Sequence, residues 1–186
     1  MIKKKHVLFF CTFLLLMFAQ SSNLYAQKIP KNLKWTTFDK LSSKKMTVVL
    51  LYTVWDVSFN RMERMALSDP KIVKYGNKKL NFVRFDIEHK KPITYQGVTY
   101  HFDAKDGNRG RHELAKKLCN GEHSIPVVVI LNEEQEITQA IPNYIETKDF
   151  DAIIHYYAED TYKKQPWEEF EKTLNLKKED NDNGVD

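Results

Sequence analysis

Past residue 30, apolar positions along the chain follow two rhythms: short, nearly continuous runs, and stretches in which they return every three or four residues. Trp35, Phe38 and Leu41 recur at intervals of three and predict a first helix with one apolar stripe, ended by Ser42, Ser43, Lys44 and Lys45. Residues 46–54 are almost continuously apolar and rich in β-branched side chains. That composition predicts a strand buried on both faces of a mostly parallel sheet. A helical stretch follows through Met62, Met65 and Ala66. It breaks at Asp69 and Pro70, where the aspartate can cap a new turn and the proline can take its first position. Gly76 is the expected stop.

Residues 81–87 alternate, with Val83, Phe85 and Ile87 on one face of a second strand. Residues 93–102 predict a hairpin turning at Gln96 and Gly97, because glycine accepts the positive φ of tight turns. Residues 106–110 read as a loop, 112–118 as a short helix with Gly121 past its end, and 127–131 as another buried strand. A turn at 132–135 leads to a last strand at 137–141. Thr147 is placed to cap a long helix with Phe150, Ile153, Ile154 and Tyr157 on its core face. Pro166 and Trp167 open one more helix, and the polar residues 177–186 predict a disordered tail. A strand–helix–strand opening implies a parallel pair with a right-handed crossover, and a short turn between the last two strands makes them antiparallel. The expectation is an α/β fold: a central mixed sheet with helices on both faces, a hairpin insertion and a C-terminal helical extension.

The first residues have a different character. Lys3, Lys4 and Lys5 precede an apolar stretch at 7–18 that is too short for a membrane span, and Leu24, Tyr25 and Ala26 offer a cleavage site. Residues 1–26 therefore read as a signal peptide, 27–176 as one domain and 177–186 as the tail. Cys11, inside the apolar stretch and preceded by Phe9 and Phe10, does not read as a lipid-anchored cysteine. Cleavage would lower the 29 basic residues to 26 against 25 acidic ones, a near balance. Charges alternate along the sequence and no Lys/Arg run stands out, which gives no reason to expect nucleic acid as a partner. Cleavage also leaves a single cysteine, Cys119. In an oxidising compartment it is a buried small hydrophobe, a reactive thiol, or half of a disulfide-linked dimer.

Several pieces in order resemble the thioredoxin-like superfamily, and more narrowly its secreted bacterial members. They are Leu51, Tyr52, Thr53, Val54 and Trp55; Arg61, Met62 and Glu63 with Ser68, Asp69 and Pro70; the hairpin from Tyr95 to Tyr100; Gly110, Arg111, His112, Glu113, Leu114 and Ala115; Ser124, Ile125 and Pro126; and Trp167, Glu168, Glu169 and Phe170. The resemblance spans roughly residues 30–175. It implies a thioredoxin fold with a redox motif at Asp56, Val57, Ser58 and Phe59, and a peptide groove formed by Trp55, Ile125 and Pro126.

Active relatives carry cysteine at the positions of Asp56 and Phe59. Disulfide exchange needs an attacking thiolate, a helix N-terminus that lowers its pKa, and a second thiol to resolve the adduct. Only the helix N-terminus remains. Asp56 then reads as an N-cap whose permanent anion stands where the resemblance implies a thiolate, and Phe59 as core filler beneath the helix. Two readings of Pro126 stand side by side: it shapes a turn, or the residue before it, Ile125, presents main-chain groups to an extended peptide. His123 invites a His–Asp pair with Asp56, although two ligands are too few for a metal site. Asn143 stands where relatives often have glycine and tolerates a left-handed turn. Trp55 and Tyr144 are candidates for an aromatic rim.

Three functions compete. The first is a non-catalytic module, periplasmic or secreted, that binds a protein or peptide in the cell envelope, with no cofactor and no metal. The second is thiol chemistry through Cys119. The third is a structural subunit of an envelope complex, touching it through the 95–100 hairpin or the Trp167 helix.

Overall fold

The computed structural model describes residues 32–106, 109–121 and 124–182, with side chains to 174. The proposed signal peptide lies outside the described residues. The chain opens with a short strand, β1 (Trp35–Thr36), and a 3₁₀ turn (Phe38–Lys40). Strand β2 (Thr47–Tyr52) leads into helix α1 (Val57–Arg64), a 3₁₀ turn (Ala66–Ser68) and helix α2 (Pro70–Lys79). Next come β3 (Asn81–Asp86), the hairpin β4 (Ile93–Tyr95) and β5 (Val98–Tyr100), and the ribbon β6 (Phe102–Asp103) with β7 (Arg111–His112). Helix α3 (Glu113–Leu118), β8 (Val127–Leu131), β9 (Ile137–Pro142), α4 (Thr147–Ala158), a 3₁₀ turn (Thr161–Lys163) and α5 (Trp167–Asp182) complete the order.

The main sheet has the order β1-β3-β2-β8-β9. β2 pairs in parallel with β3, and β8 runs antiparallel to both β2 and β9. The sheet is mixed, as the spacing of apolar runs predicts. Alternation along β2 sends Val48 and Leu50 into a core under α1, α2 and α4, with Phe59, Met62, Ile72, Phe82, Phe150 and Ile154. Val49 and Leu51 go to the opposite face, where α3 and the β4–β5 hairpin cover them through Leu114, Leu118 and Tyr95. Both sets are buried, which is why β2 reads as a continuous apolar run.

Several local expectations are corrected. Trp35, Phe38 and Leu41 do not form a helix. Trp35 meets Phe82 edge-on at 6.2 Å in the first core, whereas Phe38 and Leu41 pack in the second, with Phe38 at 5.6 Å from Phe85. A single helical stripe cannot serve both faces of a sheet, so tertiary packing overrides the three-residue period. Gly76 does not end α2 but lies within it. Its missing Cβ lets the helix approach Phe82, whose Cε2 would stand 2.6 Å from an added methyl. The first residue of α4 is Thr147, preceded by Glu146 at the cap without a side-chain bond. On α4, Tyr157 does pack half-buried against the first core, and Tyr156, which lies outside the predicted stripe, is also buried. Phe102 leaves the hairpin to pair with His112 in the separate ribbon. Helix α5 remains helical through Asp182, within the stretch read as a polar tail.

Other local readings hold. Asp69 Oδ1 accepts from the N–H groups of Lys71 (2.8 Å) and Ile72 (3.2 Å), with Pro70 in the first helical position. Gln96 and Gly97 adopt φ of 51° and 75°, both positive as a type I′ hairpin turn requires.

Candidate functional site

Asp56 caps α1. Its Oδ1 accepts from the Phe59 N–H at 2.7 Å, and the carboxylate lies almost wholly inside the protein. The segment just before it is tied in a turn, with the Asp56 N–H donating to the Thr53 carbonyl at 3.1 Å. One turn into the helix, Phe59 is buried and stacks on Tyr52, with ring centroids 4.1 Å apart and planes 18° from parallel. The Arg84 guanidinium approaches both rings, at 5.7 Å from Phe59 and 5.5 Å from Tyr52, and pairs with Glu63 at 2.8 Å. Phe59 therefore contributes packing beneath the helix and offers no reactive group.

The side chains around Asp56 face outward. Val54 is 69% exposed, Trp55 50% and Val57 77%, three of the five large exposed hydrophobics among the described residues. Ser58, in the first turn of α1, is half-buried. Trp55 is oriented from one side: its Nε1–H donates to Glu88 Oε1 at 3.1 Å, and the Arg109 guanidinium lies 4.9 Å from its ring. Tyr144 has other neighbours, with Arg61 stacked over it at 4.5 Å and paired with Glu146 at 3.6 Å. Trp55 and Tyr144 are thus engaged by different groups, and no ring contact joins them.

Strand register brings the proline loop to the same end of the sheet. Leu51 pairs with Val127, so Pro126 lies alongside the end of β2, just before the turn that carries Asp56. The Ile125–Pro126 peptide is cis. Pro126 is buried, and Ile125 is half-buried against the second core. Asn143 adopts a left-handed φ of 74° and donates its N–H to the Pro126 carbonyl at 2.8 Å, so asparagine does sustain this turn. A cleft of about 490 Å³ opens at the same end of β2 and β3, lined by Tyr52, Phe85 and Asp86 together with Phe38, His89 and Ile93.

His123, and with it the His–Asp reading, lies outside the described residues. Cys119 caps the end of α3 and is buried in the second core with Leu114 and Leu118. Among the described residues, no group of three or more His, Cys, Asp and Glu is placed to hold a metal, and no helix is long and apolar enough to cross a membrane.

Sequence reasoning overlooked His112. It is fully buried at the N-cap of α3, where Nδ1 accepts from the Leu114 N–H at 3.1 Å and Nε2 lies 3.1 Å from the Lys91 carbonyl. That pairing selects the neutral tautomer with the proton on Nε2. Burial holds its pKa below the ordinary imidazole value. Histidine is not a usual N-cap residue, and the sequence pattern places His112 within the helix, which instead begins at Glu113.

No family profile and no curated protein matches the chain. Among solved structures, it is similar to a thioredoxin-fold protein from Helicobacter pylori at TM-score 0.58 and 14% identity, covering 76% of this chain and 88% of that one. A DsbH oxidoreductase matches at TM-score 0.49 and 13% identity over 77% and 97% of the two chains. A putative disulphide-isomerase from Bacteroides thetaiotaomicron matches at 0.45 and 18% over 70% and 95%. With its mixed β1-β3-β2-β8-β9 sheet, helices on both faces and the Pro126 loop beside the start of α1, this chain is a thioredoxin-fold protein.

Proposed function

We propose that this chain is an exported, non-catalytic thioredoxin-fold module that binds an extended peptide or a protein partner in the cell envelope. The observation that carries the reading is the juxtaposition at α1. A capping carboxylate and a buried phenyl ring occupy the places where dithiol relatives hold sulfur, ringed by exposed Val54, Trp55 and Val57. Thiol–disulfide exchange needs an accessible thiolate and a resolving thiol. Asp56 and Phe59 supply neither, and burial of Cys119 argues against moving that chemistry elsewhere. Exposed apolar side chains on a rigid turn suit contact with another chain. Residues 1–26, with their basic start and apolar stretch, support export.

Two measurements test the proposal. The purified protein should not reduce insulin disulfides; turnover comparable with a dithiol thioredoxin would overturn the non-catalytic reading. A pull-down from envelope extract should recover a partner that Val57→Asp and Trp55→Ser variants lose, while their melting curves stay close to that of the parent, because both side chains are exposed. Recovery of the same proteins by parent and variants alike would remove the groove from the proposal.

A further inference from the structure

Two stretches of the chain carry lysine and no carboxylate. Residues 40–47 hold Lys40, Lys44 and Lys45, and residues 70–81 hold Lys71, Lys74, Lys78 and Lys79. They are distant in sequence, and two asparagines join them in space. Asn81 Nδ2 donates to the carbonyls of Ser42 (3.0 Å) and Lys45 (3.3 Å), and Lys45 Nζ donates to the Asn77 carbonyl at 3.5 Å. A third segment is tied to the same place: the Lys34 N–H donates to Asn77 Oδ1 at 2.7 Å, and Asn77 Nδ2 donates to the Asn32 carbonyl at 3.1 Å. Lys34, Lys44, Lys45, Lys74, Lys78 and Lys79 thereby share one surface. All but the half-buried Lys45 are exposed.

Among the described residues, none of the six forms an ion pair with a carboxylate. The two acids that flank these stretches are used locally, and the Glu159 carboxylate, which reaches α2 from another element, accepts from the Tyr75 hydroxyl at 3.2 Å. Asp39 is hydrogen-bonded to Thr37 beside Lys40, and Asp69 caps the far end of α2. The helix dipole accounts for Lys78 and Lys79 in the last turn of α2. It does not account for Lys34, Lys44 or Lys74. The concentration is notable in a chain whose charges nearly balance once residues 1–26 are set aside.

We propose that this lysine surface docks the protein on a membrane leaflet rich in anionic lipid headgroups. Its chemistry favours a lipid surface over a nucleic acid. The surface contains no arginine to make bidentate contacts and no exposed aromatic ring on which a base could stack. Flexible ammonium groups suit a diffuse plane of phosphates, where each lysine near an anionic surface adds to the attraction. The placement also has a functional consequence. The lysines gather where β2 and β3 begin, at Thr47 and Asn81, whereas Trp55, Asp56 and Val57 follow the opposite end of β2. A six-residue strand separates the two by about 20 Å. A membrane held by the lysines leaves the apolar turn facing solution.

The test is co-sedimentation of the chain from Gln27 onward, which contains every described element, with lipid vesicles. One set is phosphatidylcholine alone; the other adds about 30 mol % phosphatidylglycerol to provide the surface charge. Binding is expected only to the anionic vesicles and should fade between about 50 and about 500 mM salt as screening shortens the reach of the charges. The Lys44→Glu/Lys78→Glu/Lys79→Glu variant should bind at least tenfold more weakly. The Lys148→Glu/Lys164→Glu/Lys172→Glu variant, with the same change in net charge elsewhere, should bind like the parent. Lysine acetylation of the unaltered chain, mapped with and without vesicles, gives an answer independent of any variant's folding: Lys44, Lys74, Lys78 and Lys79 should be protected. Equal binding to neutral vesicles, equal loss in both variants, absence of protection, or capture of duplex DNA in place of anionic vesicles would each overturn the proposal.

Discussion

At Asp56 a single carboxylate acts as a structural cap. The N-terminus of α1 presents unpaired N–H groups and a partial positive charge. A thiolate there would be activated; an aspartate is simply bound, through its 2.7 Å contact with the Phe59 N–H. Asp56→Ala should lower stability by about 1–2 kcal/mol, readable as a shift of the urea midpoint without a change of slope. His112 makes a prediction of the opposite charge sense. The folded protein holds it neutral, because Nδ1 must stay unprotonated to accept from the Leu114 N–H. The unfolded chain takes up a proton near pH 6.5, so below that value it binds more protons than the native state. The contribution is complete above about pH 6.5 and is lost as pH falls toward the lower folded value. His89 and His101 disfavour the charged ring, whereas Glu113 and the Lys91 carbonyl favour it. His112→Asn keeps an acceptor at the cap and removes the titration. It should flatten the fall in thermal stability between about pH 7 and pH 5.5 relative to the parent; equal slopes would show that His112 does not set it.

Helix α2 shows how an element can be read correctly in kind and wrongly at its end. Asp69 and Pro70 mark its start in the sequence and in the structure alike, because capping and proline geometry are local. Gly76 looks like a stop from the same local rules, yet its role is set by a ring from another element. In an exposed helix, glycine to alanine would add up to about 1 kcal/mol of stability. Here the new methyl would stand 2.6 Å from Phe82 Cε2, on a ring that is itself fully buried in the first core. Gly76→Ala is therefore expected to destabilise by about 1–3 kcal/mol in chemical denaturation, reversing the sign that propensity predicts. β1 teaches the same lesson. The three-residue spacing of Trp35, Phe38 and Leu41 resembles a helical stripe, but the sheet edge sends those side chains to two different cores.

For the whole molecule, two cores on opposite faces of one sheet explain why Cys119 is expected to be inert. It is 2% exposed, at the end of α3 among Leu114 and Leu118. Iodoacetamide should label it only after denaturation; rapid labelling of the native protein would revive a thiol-based function. Some features depend on the sequence alone. The period-two and continuous apolar runs specify β2, β3, β8 and β9, the short turn between β8 and β9 makes that pair antiparallel, and the residue identities at 56–59 show that the first turn of α1 carries no cysteine. Each rests on residues close together in the chain or on the identity of one atom. Tertiary structure decided the rest, because it depends on meetings between distant segments. It placed Pro126 beside the end of β2 through the Leu51–Val127 register, required glycine against Phe82, and buried His112. It also gathered lysines from three separated segments around Asn77 and Asn81. Along the sequence those lysines sit in separate segments; only folding, which converts separation in sequence into proximity in space, makes them a surface.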